Sequence, residues 1–474
     1  MDKLLYIDGQ WTGEFLDKIS VTNPATGKQV GTVPKGGRKE ASLAIESAYE
    51  AFGPWSQRTA YKRASYLEKY HDLLLKHENQ IAEVLTKEMG KPFNEAKGEV
   101  SYAATFLKWF AEEGKRVYGR TIPTHIQGKK MQVIKQPTGV VGIITPWNFP
   151  AAMITRKLGP ALASGCTVVI KPPRQTPLTA VLLVELAEKA GIPKGVINLV
   201  TGSAAEIGDE IFNNPKVQKV TFTGSTKIGK ELIKKSADQV KKLSLELGGH
   251  APTIVLDDAN LDLTVQHVIA SKFRNGGQTC ICLNRIYVQE GIYNQFIEKI
   301  IAATSQLKVG NGLEEGVQIG PVIDHNAYKK INEHVQDALS HGARCMLGGK
   351  GEKKQGGYFY FPTILADASP DMLIMNEETF GPVAPIQKIA SEEEAIRLAN
   401  NTSYGLAAYI FSESYRRANK LIHALEYGII GWNDGVPSAA QAPFGGMKQS
   451  GIGREGGYEG IEEFIETKYI AYTI

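Results

Sequence analysis

The sequence predicts an α/β protein of two doubly wound, Rossmann-like domains, and three observations lead there. At 474 residues the chain is too long for one hydrophobic core, so two or more domains are expected. From residue 139 onward, short apolar runs alternate with stretches of helical periodicity, which is how a parallel sheet with crossover helices reads. A second alternating series starts after Gly249 and places a domain boundary there.

The elements follow in order. Residues 38–117 read as helical: 40–51, 60–76 and 79–89 carry apolar residues at helical spacing, and Gly90-Lys91-Pro92 is a stop signal. Strands are expected at 140–144, 167–170, 196–200, 220–222 and 243–245, with helices at 178–190, 204–212 and 227–236 between them. The second series opens with a strand at 253–256 and helices at 261–273 and 292–305. Residues 131–135 and the tail 468–474 have β character. There is no internal repeat and no low-complexity segment.

Composition narrows the function classes. Hydrophobic residues make up 42% and charged residues 22%, ordinary values for a globular protein. The 54 basic and 50 acidic residues are well mixed, which argues against a nucleic-acid partner. No window approaches the roughly 20 apolar residues that span a bilayer, and the apolar patch within Met1–Gly9 is too short for a signal peptide. No membrane partner is expected. Cysteines 166, 280, 282 and 345 do not form a disulfide framework, so a cytoplasmic setting is expected.

Two segments carry chemistry. Phe273-Arg274-Asn275-Gly276-Gly277-Gln278-Thr279-Cys280-Ile281-Cys282 sets a cysteine behind a glycine pair, and Leu245-Glu246-Leu247-Gly248-Gly249 lies upstream. Together they offer a thiol nucleophile and a carboxylate base, the groups that acyl transfer at a carbonyl requires. With these motifs the chain resembles an aldehyde dehydrogenase nearly from end to end. The resemblance implies a dinucleotide-binding domain at 1–118 and 139–249 to which 441–460 returns, and a catalytic domain at 250–440. It further implies a small β oligomerisation arm at 119–138 and 461–474, and hence a homodimer or homotetramer.

Two glycine patterns are decoys. Gly451-Ile452-Gly453-Arg454-Glu455-Gly456 matches a dinucleotide fingerprint by letter but neither follows a strand nor opens a βαβ unit. Gly224-Ser225-Thr226-Lys227-Ile228-Gly229-Lys230-Glu231 ends in Glu231 where a P-loop needs Ser or Thr, which disfavours a nucleotide triphosphatase. That segment does follow a strand and open a helix, a setting suited to a pyrophosphate. The resemblance makes Gly224 and Ser225 cofactor contacts.

The remaining roles rest on the resemblance, each beside a plainer alternative. Cys280 is the nucleophile, although most lone cysteines are small buried hydrophobes. Asn148, in Pro146-Trp147-Asn148-Phe149-Pro150, pairs its amide with the Cys280 N–H to hold an oxyanion; the alternative is a turn asparagine. Glu246 directs water at the thioester; the alternative is a surface carboxylate at a strand end. Lys171 binds the adenosine ribose, and Glu378 the nicotinamide ribose. Thr145, Trp147 and Phe380 complete the cofactor contacts. Arg174 stands where NAD-preferring relatives often carry a glutamate, so NADP is the expected cofactor, with NAD possible; the alternative is a solvated arginine.

Arg156, Arg274 and Ser438 resemble the carboxylate anchors of succinate-semialdehyde dehydrogenases, the alternative being structural salt bridges. The expected substrate is therefore succinate semialdehyde. Glutarate semialdehyde, 2-oxoglutarate semialdehyde and a broad range of aliphatic or aromatic aldehydes stay open. Cys282 is a candidate redox partner for Cys280. No histidine falls in ligand spacing with the pair, so no metal is expected. A dinucleotide-binding protein without activity is disfavoured because Cys280, Glu246 and Asn148 are all present.

Overall fold

The computed structural model describes residues 1–473. One sheet has eight strands in the order Gln10–Thr12, Leu5–Ile7, Ile197–Leu199, Thr167–Lys171, Val140–Ile144, Val217–Thr223, Lys242–Glu246, Gly451–Ile452. Its five central strands are parallel and mostly buried, as a sheet covered by helices on both sides requires, though Val217–Thr223 and Lys242–Glu246 each carry one largely polar face. The chain starts at the central Val140–Ile144, moves outward to Ile197–Leu199, then returns to the other side at Val217–Thr223. That reversal is the topological switch point, where a crevice opens beyond the carboxyl ends of the strands.

The two edges of this sheet are antiparallel. An N-terminal hairpin, Leu5–Ile7 with Gln10–Thr12, joins through Tyr6 opposite Leu199. Gly451–Ile452 closes the far edge opposite Leu245 and Glu246. So the glycine-rich run from Gly451 to Gly456 begins as an edge strand and opens no helix. Ser450 fastens the same junction: its hydroxyl donates to Gly248 O (2.7 Å) and accepts from Gly405 N (2.9 Å).

A seven-stranded sheet follows after Gly249, in the order Arg344–Leu347, Thr363–Ala366, Val383–Ile389, Leu283–Gln289, Ala251–Val255, Ala407–Phe411, Ile429–Trp432. It is parallel apart from the Arg344–Leu347 edge. A third sheet of Ile465–Thr473, Lys129–Pro137 and Arg120–Ile122 stands apart, with Ile134, Tyr469 and Tyr472 exposed on it. Its last strand begins before residue 468, and Ile474 lies outside the described residues.

Helix placement follows the periodicity with two instructive departures. The first helix runs Arg38–Ser56, past Pro54, because Trp55 is buried against the helical layer and holds the last turn. Helix Ala152–Ser164, absent from the expected elements, is buried at every position, Arg156 and Lys157 included. It packs against Phe93–Glu113 in the cluster around Phe106, Phe110 and Leu158.

Some buried charges serve the scaffold. Glu88, 1% exposed, accepts from Leu178 N (2.7 Å) and Thr179 N (2.8 Å), so it caps helix Pro177–Lys189 from a neighbouring helix. Replacing Glu88 with Ala leaves both N–H groups unpaired in a dry site, a loss of about 1–3 kcal/mol. A lower urea midpoint with an unchanged slope is the expected result; an unmoved midpoint would show that water replaces the cap.

Candidate active site

Asn148, Lys171, Gly224 and Glu246 all sit at the carboxyl edge of the eight-stranded sheet. Val140–Ile144 ends into Thr145-Pro146-Trp147-Asn148, and Val217–Thr223 into Gly224-Ser225. Glu246 is the last residue of its own strand. Cys280 faces them from a tight turn just before Leu283–Gln289, closed by Cys282 N to Thr279 O at 3.1 Å. The turn preceding it needs left-handed backbone at Asn275 (φ 52°), Gly276 (61°) and Gly277 (74°). At Gly277 a Cβ would also lie 2.1 Å from Gly381 O, so this position accepts no side chain.

Two cavities meet at Cys280. One, of about 330 Å³, is lined by Tyr102, Phe149, Arg156, Arg274, Ser438 and Phe444 among others. The other, of about 270 Å³, is lined by Trp147, Asn148, Gly224, Ser225, Glu378 and Phe380. Lys171, Arg174 and Thr145 do not line it. They lie at neighbouring strand ends, with Thr145 N donating to Lys171 O at 3.4 Å. Lys171 is buried, and burial lowers its pKa to about 8. Arg174 is exposed and makes no ion pair among the described residues.

The Asn148 peptide is gripped from several sides. Its side-chain Nδ2 donates to Gln278 O (3.0 Å), while its carbonyl accepts from Asn275 Nδ2 (3.0 Å) and Lys91 Nζ (2.8 Å). Lys91 also donates to Glu99 Oε2 (2.5 Å), and Glu99 Oε1 accepts from Ala151 N and Ala152 N. One amide hydrogen of Asn148 is thus committed to Gln278 and the other is left for a ligand.

Glu246 has a buried Oε2 with no hydrogen-bond partner among the described residues. Its Oε1 lies where a Cβ on Gly445 would come within 2.9 Å, so glycine at 445 makes room for the carboxylate. Burial, then the nearby Glu455, push the Glu246 carboxyl well above the ordinary range, against Arg156, Lys157 and Arg454. Burial likewise pushes the Cys280 thiol up to about 12, with Arg156 opposing and Glu378 and Glu246 adding to the rise.

The two arginines of the larger cavity are not equivalent. Arg156 Nε lies 2.6 Å from Glu455 Oε2, and Lys157 shares the same carboxylate. Burial raises the Glu455 carboxyl, but Lys157 and Arg156 outweigh it and hold Glu455 below the ordinary range. Arg156 is therefore already paired, with its guanidinium 4.1 Å from the centre of the Phe444 ring. Arg274 makes no hydrogen bond or ion pair through its side chain among the described residues. It rests 5.2 Å over the Phe149 ring. Ser438 Oγ, on the same wall, also has no partner.

On the smaller cavity, Glu378 accepts from Gly249 N (3.1 Å), and burial raises its carboxyl to about 7. Lys330 donates to the Glu378 carbonyl (2.5 Å). Phe380, at φ 57°, meets Trp147 edge-on at 5.6 Å. The Ser225 hydroxyl caps helix Thr226–Ser236, whose N-terminus opens here. Cys282 lines neither cavity. It is buried, its thiol 3.4 Å from Lys272 O, so joining it to Cys280 requires the turn to unwind.

Sequence reasoning missed Lys91, Glu99, Lys157, Glu455 and Lys330. Glu455 stood inside a glycine pattern dismissed as a decoy, and a carboxylate there was the one available signal.

Comparison with known proteins agrees with this geometry. The aldehyde dehydrogenase family model matches residues 11–470. A succinate-semialdehyde dehydrogenase [NADP(+)] of Escherichia coli is 53% identical over 98% of this chain and 96% of its own length. A glutarate-semialdehyde dehydrogenase of Pseudomonas putida is 52% identical over 99% and 97%. The crystal structure of a succinate-semialdehyde dehydrogenase from Burkholderia pseudomallei superposes with a TM-score of 0.98 at 51% identity, covering 100% of this chain and 98% of that one. With a family model over nearly the whole chain and relatives at more than 50% identity, this chain belongs to the aldehyde dehydrogenase family.

Proposed function

We propose that this enzyme oxidises succinate semialdehyde to succinate with NADP, accepting NAD less well. The observation that carries the substrate is the pairing of an uncommitted Arg274 with an unpartnered Ser438 hydroxyl on the wall that also holds Cys280. A carboxylate tail satisfies both groups at once. The relatives from E. coli and P. putida act, by their names, on semialdehydes that end in a carboxylate. Glutarate semialdehyde is the second reading: a 330 Å³ cavity has room for a longer tail, and one methylene shifts discrimination by only about 1–3 kcal/mol.

The smaller cavity suits the nicotinamide end of a dinucleotide, and the rest would run outside it past the neighbouring strand ends. Thr145 Oγ1 is buried without a partner, a helix N-terminus opens at Gly224-Ser225, and Arg174 is an exposed, unpaired cation for a 2′-phosphate. Lys171, Glu378, Trp147 and Phe380 complete the binding set. The bound cofactor supplies the hydride acceptor.

The chain's own residues do the rest. Cys280 loses its thiol proton to solvent, helped by the positive charges of Arg156 and Arg274, and the thiolate attacks the aldehyde carbon, forming a C–S bond and an alkoxide. The free Asn148 amide hydrogen and the Cys280 N–H stabilise that oxygen. Loss of hydride leaves a thioester on Cys280. Glu246 takes a proton from water, the resulting hydroxide adds to the thioester, and the carboxylic acid departs as the Cys280 thiol is restored. Arg156 is a buried positive neighbour of Cys280 held in place by Glu455, not a free tail anchor. We also read the exposed outer strand Ile465–Thr473 as a subunit contact in a homodimer or homotetramer, and the setting as cytoplasmic. No described helix is long and apolar enough to cross a membrane.

Three outcomes test these assignments. Because the Glu246 carboxyl is raised, its basic form grows as pH rises. Thioester hydrolysis after a single turnover should therefore keep accelerating with pH above the ordinary carboxylate range, and Glu246→Gln should keep the burst of reduced cofactor while flattening that rise. Initial rates should favour succinate semialdehyde over butanal, and Arg274→Met should cut that preference by about tenfold or more. An equal rate on butanal would return Arg274 to structural duty. Arg174→Glu should move cofactor preference from NADP toward NAD, and an unchanged ratio would remove Arg174 from the phosphate site.

A further inference from the structure

A tail pocket for an anion holds a carboxylate that the proposed reaction does not use. Glu95, in the first turn of helix Phe93–Glu113, lines the same cavity as Cys280, Arg274 and Ser438. Its Oε2 accepts from Asn275 N at 2.8 Å, which fixes the carboxylate against the residue next to Arg274. Its other oxygen makes no hydrogen bond among the described residues, and the side chain is only half-buried.

The other charges on this wall are accounted for. Lys91 is matched by Glu99, and Glu455 lies between Arg156 and Lys157. Arg274 and Glu95 remain. They face one cavity without closing into an ion pair, since no carboxylate comes within 4.0 Å of the Arg274 guanidinium among the described residues. An incoming anion that seats on Arg274 therefore meets the field of Glu95 as well. In a mainly apolar cavity such a field is screened less than in open water.

We propose that Glu95 is a specificity-determining residue that sets how much negative charge the tail pocket accepts. It offsets part of the Arg274 attraction, so that a singly charged carboxylate tail is held loosely enough to leave and a doubly charged tail is disfavoured. The proposal rests on the reading that this cavity takes an anionic tail. Glu95 also orders the nucleophile loop through Asn275 N–H, a duty the amide oxygen of glutamine can keep.

The test uses the full-length enzyme and two alkylating reagents that match the semialdehyde in length, 4-iodobutanoate and 4-iodobutanamide. Their rates at Cys280 are followed by mass of the Cys280 peptide, so the exposed Cys345 does not contribute. Glu95→Gln should raise the acid-to-amide rate ratio by about threefold or more, and Arg274→Met should lower it. An unchanged or lower ratio in Glu95→Gln would overturn the proposal. So would an equal slowing of both reagents, the mark of a displaced loop. The outcome is separable from the substrate assignment: a wild-type enzyme that does not prefer succinate semialdehyde over butanal would sink that assignment, while the alkylation ratio would still decide the role of Glu95.

Discussion

The site depends on one buried ammonium. Lys91, 2% exposed, ties Glu99 on the helical layer to the carbonyl of Asn148 on the sheet edge. Through Glu99 it also fixes the first turn of helix Ala152–Ser164, and through the shared Asn148 carbonyl it is linked to Asn275 in the nucleophile loop. Removing one partner of such a pair strands a charge in a dry interior, typically at a cost of about 3–5 kcal/mol. The Asn148 peptide, the helix that carries Arg156 and the turn before Cys280 therefore stand or fall together. Their relative geometry is set by a contact that takes no part in the chemistry.

A second arrangement separates two positive charges that look alike in sequence. Arg156 is held by Glu455 in a fully dry setting and acts on Cys280 and Glu246 through space. Arg274 lies over an aromatic ring on an accessible wall with its hydrogen-bonding capacity unspent. The first shapes the reactivity of fixed groups, while the second is available to something that comes and goes. One carboxylate makes the difference.

Much of this was legible from the chain, and what was not has a physical reason. The parallel strands were readable because their apolar runs alternate with periodic helices, and Val140–Ile144 coincides with its expected bounds. Helix Ala152–Ser164 was not placed, since burial on every face leaves no solvent side to mark it and Gly159 and Pro160 interrupt the pattern. The N-terminal hairpin is three residues to a strand, too short for alternation to register. Cys280 drew attention through its glycine-flanked motif, while Glu246 and Asn148 took their expected roles from the family resemblance. Lys91 and Glu99 did not stand out, because the pair is eight positions apart but gains its meaning from Asn148 and Ala151 more than fifty positions on, and Glu455 did not because it meets Lys157 298 positions away.

The strap from Phe444 to Glu455 has a consequence in time as well as in space. It supplies the space for the Glu246 carboxylate at Gly445, the edge strand at Gly451–Ile452 and the counter-charge for Arg156. All of it is synthesised after Cys280. A ribosome adding about 5–20 residues per second exposes the nucleophile loop for many seconds before the strap exists. During that interval the sheet lacks its closing strand, and Arg156 and Lys157 lack the acid that neutralises them. A nascent chain thus carries Cys280 for a time without the contacts that the strap later supplies around Glu246 and Arg156.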